Sequence, residues 1–166
     1  MLVDTSVLIR TLQPHHSLYI STERALRLLP AQGRELHIVA QNLIELWTVA
    51  TRPFGENGLG MTAAKAATEL EAIKGMFLFL PETPAIYPAW EALVIEHQVI
   101  GKPAHDARLV AAMQAHGLTA ILTFDRTGFS RYLRCGGRSS GASHGLETVH
   151  STRNVAYLDA VSPVRF

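Results

Sequence analysis

The sequence predicts an α/β fold, in which a mainly parallel central sheet is flanked by helices. Short apolar runs alternate along the chain with stretches that carry apolar residues at helical spacing. The runs are continuously apolar, as expected of strands that are buried on both faces. Alternation of this kind, without an internal repeat, is typical of a parallel sheet covered by helices.

Each element follows from a local pattern in the sequence. Pro30 and Pro53 end two of the helical stretches, Thr62 caps a third that Gly75 closes, and Gly117 closes another. The predicted strands cover residues 1–3, 36–40, 77–80 and 119–124, with a short last strand at 146–149. The predicted helices cover residues 22–29, 41–52, 62–75, 83–98 and 104–117.

The chain of 166 residues has the length of one domain. We expect that domain to span residues 1–150. Residues 133–144 have the sequence LRCGGRSSGASH. This stretch is rich in Gly and Ser and predicts a flexible insertion. Residues 151–166 are expected to form an irregular C-terminal tail.

Composition excludes several classes of protein. The chain is 48% hydrophobic and 17% charged, as in ordinary globular proteins, and its single cysteine excludes a disulfide framework and a cysteine-based zinc site. It has no apolar run of the ~20 residues that span a bilayer, and its first residues lack the pattern expected of a secretory leader. We therefore expect a cytoplasmic protein without membrane contact. Residues 101–166 are the more basic part, a weak indication of an anionic partner.

Four acidic residues fall where the predicted fold would bring them together. Asp4 follows the first strand, Asp125 follows the strand at 119–124, Asp106 lies in the first turn of a helix, and Glu45 lies in a mainly apolar helix. Ligands of open α/β sheets bind at the carboxyl ends of the strands. Each acid also has an ordinary explanation on its own, as a helix cap, a first-turn acid, a turn residue or a solvated side chain. Together they predict a site for a hard, oxygen-preferring cation, Mg²⁺ or Mn²⁺.

The same residues carry a family resemblance. The stretches VDTSVLI, NLIELWTVATRP, HDARLVAAMQAHG and ILTFD, in that order, resemble a PIN domain, in particular the VapC-like ribonucleases of toxin–antitoxin modules. The resemblance runs from residue 1 to about Tyr132, and GLETVH (145–150) is similar to the closing strand of that family.

The resemblance implies a single PIN-like domain and assigns roles to individual residues. Asp4, Glu45, Asp106 and Asp125 correspond to the four acids of the family, of which Asp4, Asp106 and Asp125 are the expected metal ligands. Ser6 and Thr123 are expected to support the first and fourth acids by hydrogen bonds. Asn42 is expected either to face this site or to cap its helix.

The implied activity is Mg²⁺-dependent endonucleolytic cleavage of RNA, with Mn²⁺ as a substitute. Arg108 and Arg126 are candidate substrate-binding residues that would contact phosphate. The resemblance also implies an antitoxin protein as a partner, and a homodimer. Trp47 and Trp90 are predicted to make core or dimer contacts.

The chain also departs from the family pattern. Related sequences often carry a further acid where this chain has Gly128, so any second metal site loses a potential ligand. A haloacid-type phosphatase is disfavoured because Ser6 stands where its second aspartate belongs, and a receiver domain because no lysine occurs after Lys102. A catalytically silent domain of the same fold, binding nucleic acid or a partner protein, is the alternative that the sequence leaves open.

Overall fold

The computed structural model describes residues 1–132, 149–152 and 155–158, and it confirms the predicted α/β fold. The strands are β1 (Leu2–Val3), β2 (His37–Val39), β3 (Leu78–Leu80), β4 (Ile121–Thr123), β5 (Val149–Thr152) and β6 (Val155–Leu158). The helices are α1 (Thr5–Thr11), α2 (Tyr19–Ala31), α3 (Ala40–Thr51), α4 (Ala63–Met76), α5 (Ile86–Glu96), α6 (Pro103–Ala115) and α7 (Arg126–Ser130).

The strands form one sheet in the order β3-β2-β1-β4-β6-β5. All neighbouring strands are parallel except β5 and β6, which pair antiparallel. The central strand β1 is paired on both sides, with Leu2 opposite His37 of β2 and Val3 opposite Leu122 of β4. The carboxyl ends of β1 to β4 therefore share one edge of the sheet.

Both faces of the sheet are covered at its centre, which explains why β1 and β4 are buried along their whole length. Ile121 of β4 packs into a core cluster with α5 and α6, whereas its neighbour Leu122 packs into a second cluster with α1, α2, α3 and α4. Successive side chains of a strand point to opposite faces, so two clusters separated by the sheet are the expected result.

The C-terminal part differs from the sequence prediction. Residues 151–166 were expected to form an irregular tail, but Val155–Leu158 is a strand of the sheet and pairs parallel to β4. Of the strand predicted at 146–149 only Val149 is described, and it begins β5. The physical reason is that β4 would otherwise present an unpaired edge. The insertion predicted at 133–144 lies outside the described residues.

Candidate active site

Two acids stand at the carboxyl ends of the adjacent strands β1 and β4. Asp4 directly follows β1, and Asp125 follows β4 after one intervening residue. The backbone N–H of Asp4 donates to the carbonyl of Leu122, 2.9 Å away, which extends the pairing of the two strands up to the acid. The sheet itself thus brings these two positions to the same edge.

Asp4 is held by two hydroxyl groups. Its side chain is buried, and its Oδ2 accepts hydrogen bonds from Ser6 Oγ at 2.6 Å and from Thr123 Oγ1 at 2.7 Å. Burial raises the pKa of Asp4, and these two hydrogen bonds oppose the rise. Thr123 Oγ1 also accepts the backbone N–H of Asp125 at 2.9 Å, so one hydroxyl contacts both predicted acids.

Asp106 lies in the first turn of α6, among the other acids. Its carboxylate accepts no hydrogen bond from the described residues. Burial and the negative charges of Asp4, Asp125 and Glu45 raise the pKa of Asp106 to about 6. The three charges affect Asp106 because the four predicted acids converge on one place. The nearby His105 lowers the pKa of Asp106 and so offsets a part of this rise.

Asp125 has a structural role and also faces this site. It caps α7, with Oδ1 accepting the backbone N–H groups of Thr127 at 3.0 Å and Gly128 at 2.8 Å. Its other oxygen stays out of the cap. A Cβ at Gly128 would lie 2.4 Å from Asp125 Oδ2 and 3.3 Å from Asp106 Oδ2. Gly128 therefore leaves the two carboxylates close together, and a side chain here would displace that of Asp125.

Glu45 is fixed at both carboxylate oxygens. Thr5 Oγ1 donates to Oε2 at 2.6 Å, and Gln41 Nε2 donates to Oε1 at 2.7 Å. His105 Nδ1 lies 3.5 Å from Oε1, although the histidine ring is mostly exposed. A glutamate held in this way keeps one orientation towards the other acids.

A family model covers most of the chain. The family model of the PIN domain matches residues 1–133 of the chain. The chain belongs to the PIN domain family. This confirms the resemblance that the sequence motifs carry, whereas no protein among curated sequences matches the chain.

Solved structures with the same fold include three toxins or toxin complexes. A toxin–antitoxin complex from Klebsiella pneumoniae is 19% identical, with a TM-score of 0.55 over 78% of this chain and 89% of that one. VapC20 of Mycobacterium tuberculosis, a toxin that cleaves the sarcin–ricin loop, is 22% identical, with a TM-score of 0.57 over 78% of this chain and 93% of that one. VapBC2 of Rickettsia felis, bound to a fragment of promoter DNA, is 16% identical, with a TM-score of 0.58 over 78% of this chain and 90% of that one. At these identities the likeness shows the fold alone.

Sequence reasoning missed a chain of polar contacts beside the acids of this PIN domain. Gln41 holds Glu45 and also donates to the carbonyl of His105 at 2.9 Å. Arg108 Nη1 donates to Gln41 Oε1 at 3.1 Å, and Arg108 Nη2 to Glu82 Oε2 at 2.9 Å. The contact of Gln41 with Glu45 could have been predicted, because the two residues are one helical turn apart. The contact of Arg108 with Glu82 left no signal in the sequence, because it joins distant segments.

Two further predictions concern Asn42 and Arg126. Asn42 caps α3: its Oδ1 accepts the backbone N–H of Val39 at 2.9 Å. Its Nδ2 donates to the carbonyl of Val3 at 3.1 Å and to Thr5 Oγ1 at 3.2 Å, so it joins β1 to α3 beneath the acids. Arg126 begins α7, and its side chain lies outside the described part of the structure.

The acids of the PIN domain do not form a finished metal site. Within residues 1–132, 149–152 and 155–158, no group of three or more His, Cys, Asp or Glu side chains is arranged to hold an ion. Asp4 Oδ2 and Asp125 Oδ1 are occupied by hydrogen bonds within the protein.

Proposed function

We propose that this PIN domain is a metal-dependent endoribonuclease and the toxin of a toxin–antitoxin pair. The observation that carries the proposal is the convergence of Asp4, Glu45 and Asp125 on Asp106, whose pKa they help to raise to about 6. Natural folds rarely keep a cluster of acids at the end of a sheet without a cation or a charged substrate to compensate it. Membership of the PIN domain family supports the same activity, and VapC20, which shares the fold, cleaves the sarcin–ricin loop.

The chemistry of the donor set fits a hard divalent cation. The site offers carboxylate oxygens, and the Asp106 carboxylate accepts no hydrogen bond within the described residues. Asp4, Asp106 and Asp125 would hold Mg²⁺ or Mn²⁺, which prefer oxygen ligands and retain bound waters. Such an ion, when bound, polarises the scissile phosphate and lowers the pKa of a coordinated water.

The residues of the chain itself supply orientation and proton transfer. Ser6 and Thr123 hold Asp4 in one position, and Thr5 and Gln41 hold Glu45. The Glu45 carboxylate is the group that accepts a proton from the attacking water, because its side chain is 29% exposed and its charge acts on Asp106. Attack by water requires no covalent intermediate with the protein.

The partners follow from the family and from the surface. We propose an antitoxin protein that covers the acids, and a homodimer that acts on RNA in the cytoplasm. Ile95 at the end of α5 and Ile100 just after it are 70% and 87% exposed, which is consistent with an apolar dimer contact.

Cleavage of a panel of tRNA, rRNA and single-stranded DNA tests the proposal. We expect cleavage of RNA with Mg²⁺ or Mn²⁺ and none in EDTA. Asp106→Asn should abolish cleavage, and Glu45→Gln should lower its rate by about 10²–10⁴-fold, the usual contribution of a general base. Glu23→Gln removes an exposed acid on α2 and should cleave like the wild type.

The outcome also separates this function from a silent binding domain. Folded, metal-loaded protein that binds RNA without cutting any member of the panel would indicate a binding domain of the same fold. Cleavage that persists in Asp106→Asn would show that the activity belongs to a contaminant or to another site.

A further inference from the structure

A cavity of about 370 Å³ opens next to the acidic site and is not part of it. It lies between the loop after β3, the start of α5 and one side of α6. Its walls include Glu82, Pro84, Ile86, Tyr87, Trp90 and Arg108. This volume is within the range of pockets that bind small organic groups.

The cavity is joined to the acids by the fold and by hydrogen bonds. Glu82 follows β3 at the carboxyl edge of the sheet, the same edge that carries Asp4 and Asp125. Arg108 stands on α6 two residues after Asp106, and its guanidinium contacts Gln41, which holds Glu45. A molecule in this cavity would therefore be a close neighbour of one bound at the acids.

Two of the residues that line the cavity are aromatic, Tyr87 and Trp90. Tyr87 is 63% exposed, and its ring centroid lies 5.7 Å from that of Trp90. Trp90 Nε1 donates to the carbonyl of Ala104 at 2.9 Å, so the indole is anchored and its polar atom is already satisfied. Aromatic faces of this kind stack on nucleobases with little regard to sequence.

The polar side of the cavity carries opposite charges that compensate each other. Arg108 Nη2 and Glu82 Oε2 are 2.9 Å apart and form an ion pair. A phosphate would gain little from a guanidinium that is already paired, and the carboxylate would repel it. A neutral heterocycle fits better, because the carboxylate can accept from an amino group and the guanidinium can donate to a carbonyl oxygen or ring nitrogen.

We propose that this cavity binds an unpaired nucleobase of the RNA, stacked on Tyr87 with its polar edge against Glu82 and Arg108. The adjoining phosphodiester would then reach the acids. The proposal rests on the proposed ribonuclease function and adds a reason for selecting unpaired nucleotides: a base inside a duplex cannot enter the cavity.

Fluorescence of a short single-stranded RNA containing 2-aminopurine tests base stacking without cleavage. The measurement uses Asp106→Asn, in which cutting is removed. We expect quenching on binding, an affinity about tenfold weaker in Asp106→Asn/Tyr87→Ala, and full binding in Asp106→Asn/Tyr87→Phe, which keeps the ring. Phe54→Ala is the matched control, because Phe54 is 77% exposed and follows the end of α3 that points away from the acids.

Kinetics of the active enzyme provide the second readout. Tyr87→Ala should raise KM for single-stranded RNA about tenfold, whereas Tyr87→Phe and Phe54→Ala should not. Quenching that depends on Tyr87 would support the cavity even if the wild type cleaves nothing, in which case the ribonuclease function fails alone. If the enzyme cleaves RNA but Tyr87→Ala changes neither binding nor KM, the cavity proposal is overturned. An apolar side chain of a partner protein would then remain as the occupant of the cavity.

Discussion

At the scale of single residues, Asp106 is a group whose surroundings oppose its negative charge. Its half-buried carboxylate stands among three other acids and receives no hydrogen bond from the described residues. Its pKa of about 6 means that the folded state holds this proton more tightly than the unfolded chain does. The ionised carboxylate therefore lowers the stability of the metal-free protein progressively as the pH rises from about 4 through about 6.

Asp106→Asn should consequently stabilise the metal-free protein, in a way that depends on pH. In EDTA near pH 7.5 we expect the melting temperature of Asp106→Asn to exceed that of the wild type, because a neutral amide avoids the repulsion. Near pH 4 the difference should vanish, because the aspartate is then protonated. Differential scanning fluorimetry across this range measures both values, with Glu23→Gln as the control. An equal shift at both pH values would mean that repulsion is not the cause.

At the scale of elements, Asn42 joins three parts of the fold with one side chain. Its amide is fully buried, caps α3 at Val39, and contacts the end of β1 and the hydroxyl of Thr5. Thr5 in turn holds Glu45. The start of α3 and the orientation of an acid of the candidate site therefore depend on the same buried amide.

Asn42→Ala should lower the free energy of unfolding by about 1–3 kcal/mol or more, because it leaves buried backbone groups without partners. Urea unfolding monitored by circular dichroism measures this value. Thr62→Ala provides the matched comparison, since Thr62 caps α4 at an exposed position by accepting from the N–H of Lys65 at 3.2 Å. An exposed cap contributes about 1 kcal/mol. If the two variants lose the same stability, burial adds nothing to the role of Asn42.

At the scale of the whole molecule, the sheet is completed by a strand from the far end of the chain. β6 pairs with β4 on one side and with β5 on the other, and Ala156 lies opposite Leu122 and Ser151. β4 carries Thr123 and leads into Asp125. The acidic edge is thus supported by residues that lie beyond the matched family region, 1–133.

Ala156→Pro should destabilise the protein, because proline cannot donate to the ladder in a strand that is paired on both sides. We expect a lower melting temperature than in Ala156→Val, which retains the backbone donor and favours strand geometry. Equal melting temperatures for the two variants would show that β6 does not contribute to the stability of the sheet. The same pair, compared for cleavage of RNA, reports how far the strand supports the acids.

In the described part of the chain no helix has both the length and the hydropathy needed to cross a lipid bilayer. The long helices instead divide between the two faces of the sheet, where they complete the two core clusters.

The sequence by itself predicted most of the elements and placed the four acids on them, although α1, α7 and β6 were not among the predicted elements. Hydrophobic periodicity identified strands and helices because both are local patterns, and parallel strands end at a common edge, which placed Asp4 near Asp125. The sequence also suggested two roles for Asn42, facing the site or capping its helix, and the structure shows that Asn42 caps α3.

Only the tertiary structure decided which side chains hold those acids and what completes the sheet. Thr5 contacts Glu45, and Arg108 contacts Gln41 and Glu82, between segments that are distant in the chain, and such contacts leave no periodic signal. The strand β6 was missed for the same reason: what makes Val155–Leu158 a strand is the open edge of β4, more than thirty residues earlier in the chain. A local sequence pattern is enough to predict a helix or a strand, whereas the element against which it packs depends on the tertiary structure.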